Sequence, residues 1–291
     1  HQIVRLPLMT DYQAQCEARL LEGQWDQAQQ AALAWARNPA AGTDQDPRSH
    51  FALNIIYLIR GEFAEAWKAH AKCLEESEDI AQVKEWIEGF VARQPEQANA
   101  HLVMGLFLAQ SGQSEQSITA YKESIRLAPQ SAHPHYFLAQ IHERANHLEM
   151  AIKEYREAVR LDPSHVPGRT NLGVAYQEQG RLEMAIPQYR EVIKLHPTDS
   201  VAHANLACAL AEQGKFEPAL QSYKEALRLN PKDAAVHFAL GDFYETRGRL
   251  DLAQKEYDAA LVADPNFGPA HSALGWLALG RQHMQAAYEA F

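Results

Sequence analysis

The sequence predicts an all-α solenoid of about eight helix-turn-helix hairpins. Three observations predict it. Prolines stand at Pro95, Pro129, Pro163, Pro197, Pro231 and Pro265, each 34 residues from the last. Tyrosines keep the same step at Tyr121, Tyr155, Tyr189, Tyr223 and Tyr257, with Phe291 in the next place. A small residue recurs at the eighth position of each period, as Gly105, Ala139, Gly173, Ala207, Gly241 and Gly275. A chain of this kind grows by adding neighbours and has no single central core, which suits its 291 residues.

The first hairpin is divergent. One helix runs over about 10–22, Gly23 breaks it, and residues 24–37 form a second helix closed by Asn38-Pro39. Ala28, Ala32 and Trp35 place an apolar stripe on that second helix. A polar Gly- and Pro-containing loop, 40–47, leads to a second hairpin at 47–78 that turns at Gly61. The stretch 79–97 is irregular: Ile80, Val83, Ile87, Phe90 and Val91 make an amphipathic helix, and Pro95 is in register with the later prolines. It looks like the second helix of a repeat whose first helix is missing or shared.

From Ala98 the register is unbroken, with repeats at 98–131, 132–165, 166–199, 200–233 and 234–267. A sixth begins at Gly268 and reaches Phe291 in the middle of its expected second helix. The reading therefore divides the chain into a divergent part, 1–97, and a regular array, 98–291. Small residues at the eighth position face Ser117, Ala151, Ala185, Ala219 and Ala253 on the second helices and let two helices approach closely. The flanking Leu and Tyr fill the space, each contributing roughly 1.5–3 kcal/mol when buried. A lone hairpin buries too little to offset its chain entropy, so the units must stack. Gly112, Gly180, Gly214 and Gly248 end the first helices and the prolines end the second ones. Pro187 falls inside a second helix, where it deletes a hydrogen bond and predicts a bend.

The repeat 166–199 carries Leu172, Gly173, Tyr176, Ala185, Tyr189 and Pro197 at the spacing Leu-Gly-x2-Tyr…Ala-x3-aromatic…Pro. In this it resembles the tetratricopeptide repeat, strongly over 98–291 and more weakly over 9–97. The resemblance implies a right-handed superhelix whose first helices line a concave groove that holds partner peptides. The family's fourth position, usually Trp, is His in this chain at His101, His135, His203, His237 and His271.

Those histidines do not predict a metal site. Equivalent atoms on successive repeats lie about one helix-packing step apart, on the order of 10 Å. Two imidazoles on one zinc must be far closer. His142 and His147 are five apart, and no HExxH, nucleophile elbow, P-loop or dinucleotide-binding glycine pattern occurs. Cys16, Cys73 and Cys208 form no CxxC pair. No catalytic residue, metal or cofactor is predicted. With 37 acidic and 27 basic residues the net charge is −10, and phosphate backbones need the opposite, so no nucleic acid is expected as a partner. No apolar run spans a membrane, and HQIVRLPLMT lacks the apolar core of a leader. A cytoplasmic protein is the expectation, with the periplasm the alternative if a leader has been removed.

The resemblance carries the groove-facing positions of the motif (second, fifth, sixth, ninth, twelfth and thirteenth) onto an uneven lining. The candidate partner-binding residues are His133, Tyr136, Phe137, Gln140 and Arg144, then Asn171, Gln177 and Asn205, then Phe238, Asp242 and Trp276. Arg144 is the one cation among them, so the Lys/Arg/Asn clamp that some family members use for a terminal carboxylate is not expected. Asn171 and Asn205 match the sixth-position asparagine ladder of the repeat region of O-linked sugar transferases, which grips peptide backbone. Tyr136, Phe137 and Phe238 either anchor a ligand or pack against the neighbouring repeat. The expected function is a non-enzymatic scaffold or adaptor for a protein or peptide partner. The alternatives are the recruiting arm of a larger enzyme, such as a glycosyltransferase or protease, with its catalytic part beyond Phe291, and self-association through the unfinished last repeat.

Overall fold

The computed structural model describes residues 9–37, 47–59 and 80–290, with Glu65 and Ala69. These residues form fifteen helices. The first eight are α1 (Met9–Leu21), α2 (Trp25–Arg37), α3 (Pro47–Ile59), α4 (Ile80–Arg93), α5 (Ala98–Gln110), α6 (Ser114–Leu127), α7 (Ala132–Arg144) and α8 (Leu148–Leu161). The other seven are α9 (Val166–Glu178), α10 (Leu182–Leu195), α11 (Ser200–Glu212), α12 (Phe216–Leu229), α13 (Ala234–Glu245), α14 (Leu250–Ala263) and α15 (Gly268–Ala290). No strand and no helix long and apolar enough to cross a membrane occurs among the described residues. Of the loop expected at 40–47, Pro47 instead opens α3 and residues 40–46 lie outside the described residues, as do the turn at Gly61, the helix after it apart from Glu65 and Ala69, Cys73 and Phe291. Two compact units make up the chain, 1–165 and 166–291. The change of register near residue 97 falls within the first.

One turn joins the regular hairpins of both units. The residue that ends each first helix has positive φ: Gly112, Asn146, Gly180, Gly214 and Gly248. The next amide returns to the helix, as in Gln113 N to Leu108 O and Arg181 N to Tyr176 O, both 2.8 Å. This is the Schellman closure, which satisfies carbonyls the helix end leaves open. Glycine carries no Cβ penalty there and asparagine a small one. The last repeat has Gln282 at that position. The expected turn into a second helix does not form, and α15 continues for 23 residues. The break expected before the last ten residues is corrected on that ground. Inside α10, Pro187 does not interrupt the helix.

Helix pairs close on tyrosine. A Cβ built on Gly105, Gly173 or Gly241 would lie 2.4–2.5 Å from a ring carbon of Tyr121, Tyr189 or Tyr257. Ser117 of α6 donates to Gly105 O at 2.8 Å, so the small residue of the second helix also meets the first. Four histidines of the fourth position fasten their first helix to the loop before it. His101, His203, His237 and His271 bond through Nε2 to the carbonyls of Pro95, Pro197, Pro231 and Pro265 at 2.8–3.2 Å. His135 and His237 also meet Glu154 and Glu256 through Nδ1, at 2.7 and 2.8 Å.

The irregular helix α4 belongs to the start of the first unit. Trp86 donates to Glu17 of α1 at 2.6 Å, and Arg93 pairs with the same carboxylate at 2.8 Å. Trp35 of α2 meets the Trp86 ring edge-on at 5.9 Å. Asn99, at the start of α5, donates to Leu21 O, which ties the regular array to the first hairpin.

Candidate functional site

The tyrosines that fill the helix pairs also anchor polar residues of the first helices from below. Tyr155 donates to Glu143 at 2.6 Å, and Tyr189 to Gln177 at 3.0 Å. Tyr257 donates toward both Asp242 and Glu245, at 2.6 and 2.5 Å. Tyr223 meets Cys208 Sγ at 3.2 Å. The acceptors occupy the ninth and twelfth positions, two of those expected to face a ligand. The spacing of 12 or 15 residues from tyrosine back to a polar residue is a signal the motif comparison did not use.

The second unit contains a cleft of about 540 Å³. Cys208, Ala211 and Glu212 come from α11, Phe216 and Tyr223 from α12, and Ala239, Asp242 and Phe243 from α13, with Thr246 and Arg247 in the turn that follows. Its apolar side is aromatic: Phe243 packs edge-on against Phe216 at 6.5 Å and Tyr223 at 5.7 Å. The Arg247 guanidinium lies 3.7 Å from the centroids of both Phe216 and Phe243 and donates to Phe243 O at 2.7 Å. Among the described residues its buried Nε has no hydrogen-bond partner, and the facing rings offset that loss. Gln177 of α9 donates to Glu212, joining the acceptor of one repeat to the next.

Burial sets the protonation chemistry of this region. Asp242, though exposed to solvent on one side, has its pKa raised, first by partial desolvation and then by the charge of Glu245, against the Tyr257 hydrogen bond. Burial raises the Cys208 thiol, which therefore stays protonated at neutral pH. Tyr223 and Tyr257 are raised as well, chiefly by burial, and serve as hydrogen-bond donors.

The eleven predicted residues divide between the two units. In the first, Tyr136 and Phe137 are only 2% and 4% exposed. Phe137 stacks on Tyr121 at 6.1 Å, and Tyr136 contacts Phe137, Tyr155 and His165. Both rings are thus buried in contacts between helices. His133 lies between the rings of Trp25 and His165, and Gln140 donates to the Tyr136 hydroxyl. Arg144 is exposed. In the second unit Phe238 packs on Tyr257 and Phe267. Asn171 and Asn205 are half-buried, and among the described residues the Asn205 side chain makes no hydrogen bond. Trp276 is 71% exposed. Asp242 alone of the eleven lines the cleft. Phe216, Tyr223, Phe243 and Arg247 were not among the expected lining. Phe216 is the one with a trace in sequence: it stands where Leu148, Leu182 and Leu250 open three of the other second helices, yet is 44% exposed.

On the second helices Glu123, Glu157, Glu191 and Glu225 each bridge to Arg126, Arg160, Lys194 and Arg228 three residues on. Among the described residues no group of three or more His, Cys, Asp or Glu side chains could hold a metal ion.

Sequence models of the tetratricopeptide repeat match residues 98–131, 145–180, 169–232 and 204–267, which together span more than half of the chain. None of the curated proteins matches. Similar solved structures include YrrB, a TPR protein with an unusual peptide-binding site, at 17% identity and a TM-score of 0.56 over 65% of this chain and 97% of that one. MamA from Desulfovibrio magneticus RS-1, residues 41 to the end, is similar at 17% identity and a TM-score of 0.55, covering 59% and 97%. A chain of the APC/C hetero-tetramer Cut9–Hcn1 is similar over 91% of this chain and 55% of its own length, at 18% identity and a TM-score of 0.57. At such identities the likeness concerns the fold.

Proposed function

The chain belongs to the tetratricopeptide repeat family, and we propose that it is a non-catalytic scaffold holding an extended segment of a partner protein in the cleft of its second unit. The observation that carries this is the cleft itself: a concave aromatic surface with polar groups fixed at its edge is the usual form of a binding site. Tyr223 and Tyr257 hold Cys208, Asp242 and Glu245 in place, so little ordering is left for the ligand to impose. Asn205 lies one helical turn from Cys208 on α11 and can both donate to and accept from peptide backbone. The peptide-binding site of the similar protein YrrB is consistent with this use of the fold.

The test is to fill the cleft. Ala239→Trp places an indole among Phe216, Phe243 and Asp242, and we expect it to abolish capture of the proteins that the wild type retains from a lysate. Circular dichroism should be unchanged. Capture of the same proteins by both forms would place the partner elsewhere on the chain.

A further inference from the structure

We propose that the cleft takes a lysine or arginine side chain, so that the partner's recognition segment is basic. This rests on the reading of the cleft as the binding site and adds the chemical class of its occupant. Apolar walls and acidic rim together define that occupant. Phe216, Phe243, Ala211 and Ala239 offer a surface for a long aliphatic stem, and Glu212 and Asp242 border the same space. Both carboxylates are exposed, and among the described residues neither forms an ion pair. By contrast, Glu123, Glu157, Glu191 and Glu225 on the second helices each bridge to an Arg or Lys three residues away.

The one cation that lines the cleft does not neutralise them. Arg247 is spent on Phe243 O, the Thr246 hydroxyl and the two phenyl rings. Glu245 adds a third carboxylate behind Asp242, tied to it through the Tyr257 hydroxyl. An acidic segment entering here meets like charge, and a neutral one leaves the rim uncompensated. A basic side chain satisfies the rim and the walls at once.

The experiment uses capped, fluorescein-labelled nonapeptides of Gly and Ala carrying two lysines, two glutamines or two glutamates, titrated with the full chain by fluorescence anisotropy. The variants are Glu212→Gln/Asp242→Asn, which keeps an acceptor for the Tyr257 hydroxyl, Glu212→Gln alone as a milder form, and Ala239→Trp. We expect the lysine probe to bind about tenfold tighter than the glutamine probe, and to weaken about tenfold in the double variant and as salt rises. Glu212→Gln alone should give part of that loss. Equal binding of lysine and glutamine probes, abolished by Ala239→Trp, overturns the basic-segment inference and leaves the cleft as the site. Binding of the lysine probe that survives Ala239→Trp overturns both. No binding of the lysine probe at millimolar concentration overturns the inference.

Discussion

Gly173 shows how a single side chain governs the closeness of two helices. A methyl group there would stand 2.5 Å from Cε1 and 2.9 Å from Cζ of Tyr189, whose hydroxyl donates to Gln177. Gly173→Ala must slide the ring and disturb that bond. Overpacking of this kind costs about 1–3 kcal/mol, and the better helix propensity of alanine returns up to about 1 kcal/mol. We expect a net loss of about 1 kcal/mol in urea unfolding, with Gly173→Ala/Tyr189→Leu recovering most of it; an unchanged midpoint for the single variant would refute the account. The sequence made the small residue legible because it recurs every 34 residues. The cleft was less legible. Motif positions put Tyr136 and Phe137 among the ligand-facing residues, yet the facing rings of Tyr121, Tyr155 and His165 absorb both into the core. Phe216 opens α12 and Arg247 lies just past α13, both outside the motif's six groove positions, and only their contact between successive hairpins makes them part of a site.

At the scale of the element, the turn between first and second helices depends on one left-handed residue. Five regular hairpins place Gly or Asn there with φ between 59° and 79°, and the first hairpin does so with Gly23. In α15 the place is taken by Gln282, and the helix runs through. A non-glycine residue costs roughly 1–2 kcal/mol in that conformation, whereas within a helix glutamine is better than glycine by up to about 1 kcal/mol. Both terms oppose the turn. Gln282→Gly removes the first and reverses the second, so the variant should show a helix break at 281–283 in backbone chemical shifts, where the wild type shows continuous helix. Continuous helix in the variant would mean that contacts of α15, not its backbone, set its length. The sequence reading expected a hairpin here from the period alone. The residue at the turn outweighed the period. Helix α4 illustrates the converse: its apolar pattern and Pro95 identified it as a helix in register, but its attachment depends on Glu17, Trp35 and Trp86, which lie far apart in sequence.

Across the whole molecule the two units carry different titratable burdens, and acid should separate them. In the first unit His133 is pushed down to about 4 by burial and then by the neighbouring His165, with Asp162 opposing. His165 is itself lowered by burial. Trp25 closes the other side of His133. Both histidines regain ordinary values near 6.5 on unfolding, so between that pH and about 4 the unfolded chain binds more protons than the folded one. The stability of the first unit therefore falls as pH drops through this window, by on the order of 3 kcal/mol for His133 alone. The second unit has no such pair among its described residues. Its Asp242 is raised, so its folded form takes up the proton first and gains stability as pH falls. Glu123, Glu157 and Glu225 are lowered, first by the hydrogen bond from the arginine three residues on, so they add no loss of this kind to one unit alone. Hydrogen exchange under native conditions should accordingly show protection in α5–α8 decreasing from pH 7 to pH 4.5 relative to α10–α14, after correction for the intrinsic exchange rate. His133→Phe, which keeps an aromatic ring between Trp25 and His165, should remove most of that difference. Equal loss of protection in both units, or a difference that His133→Phe leaves intact, would show that other groups set the acid limit.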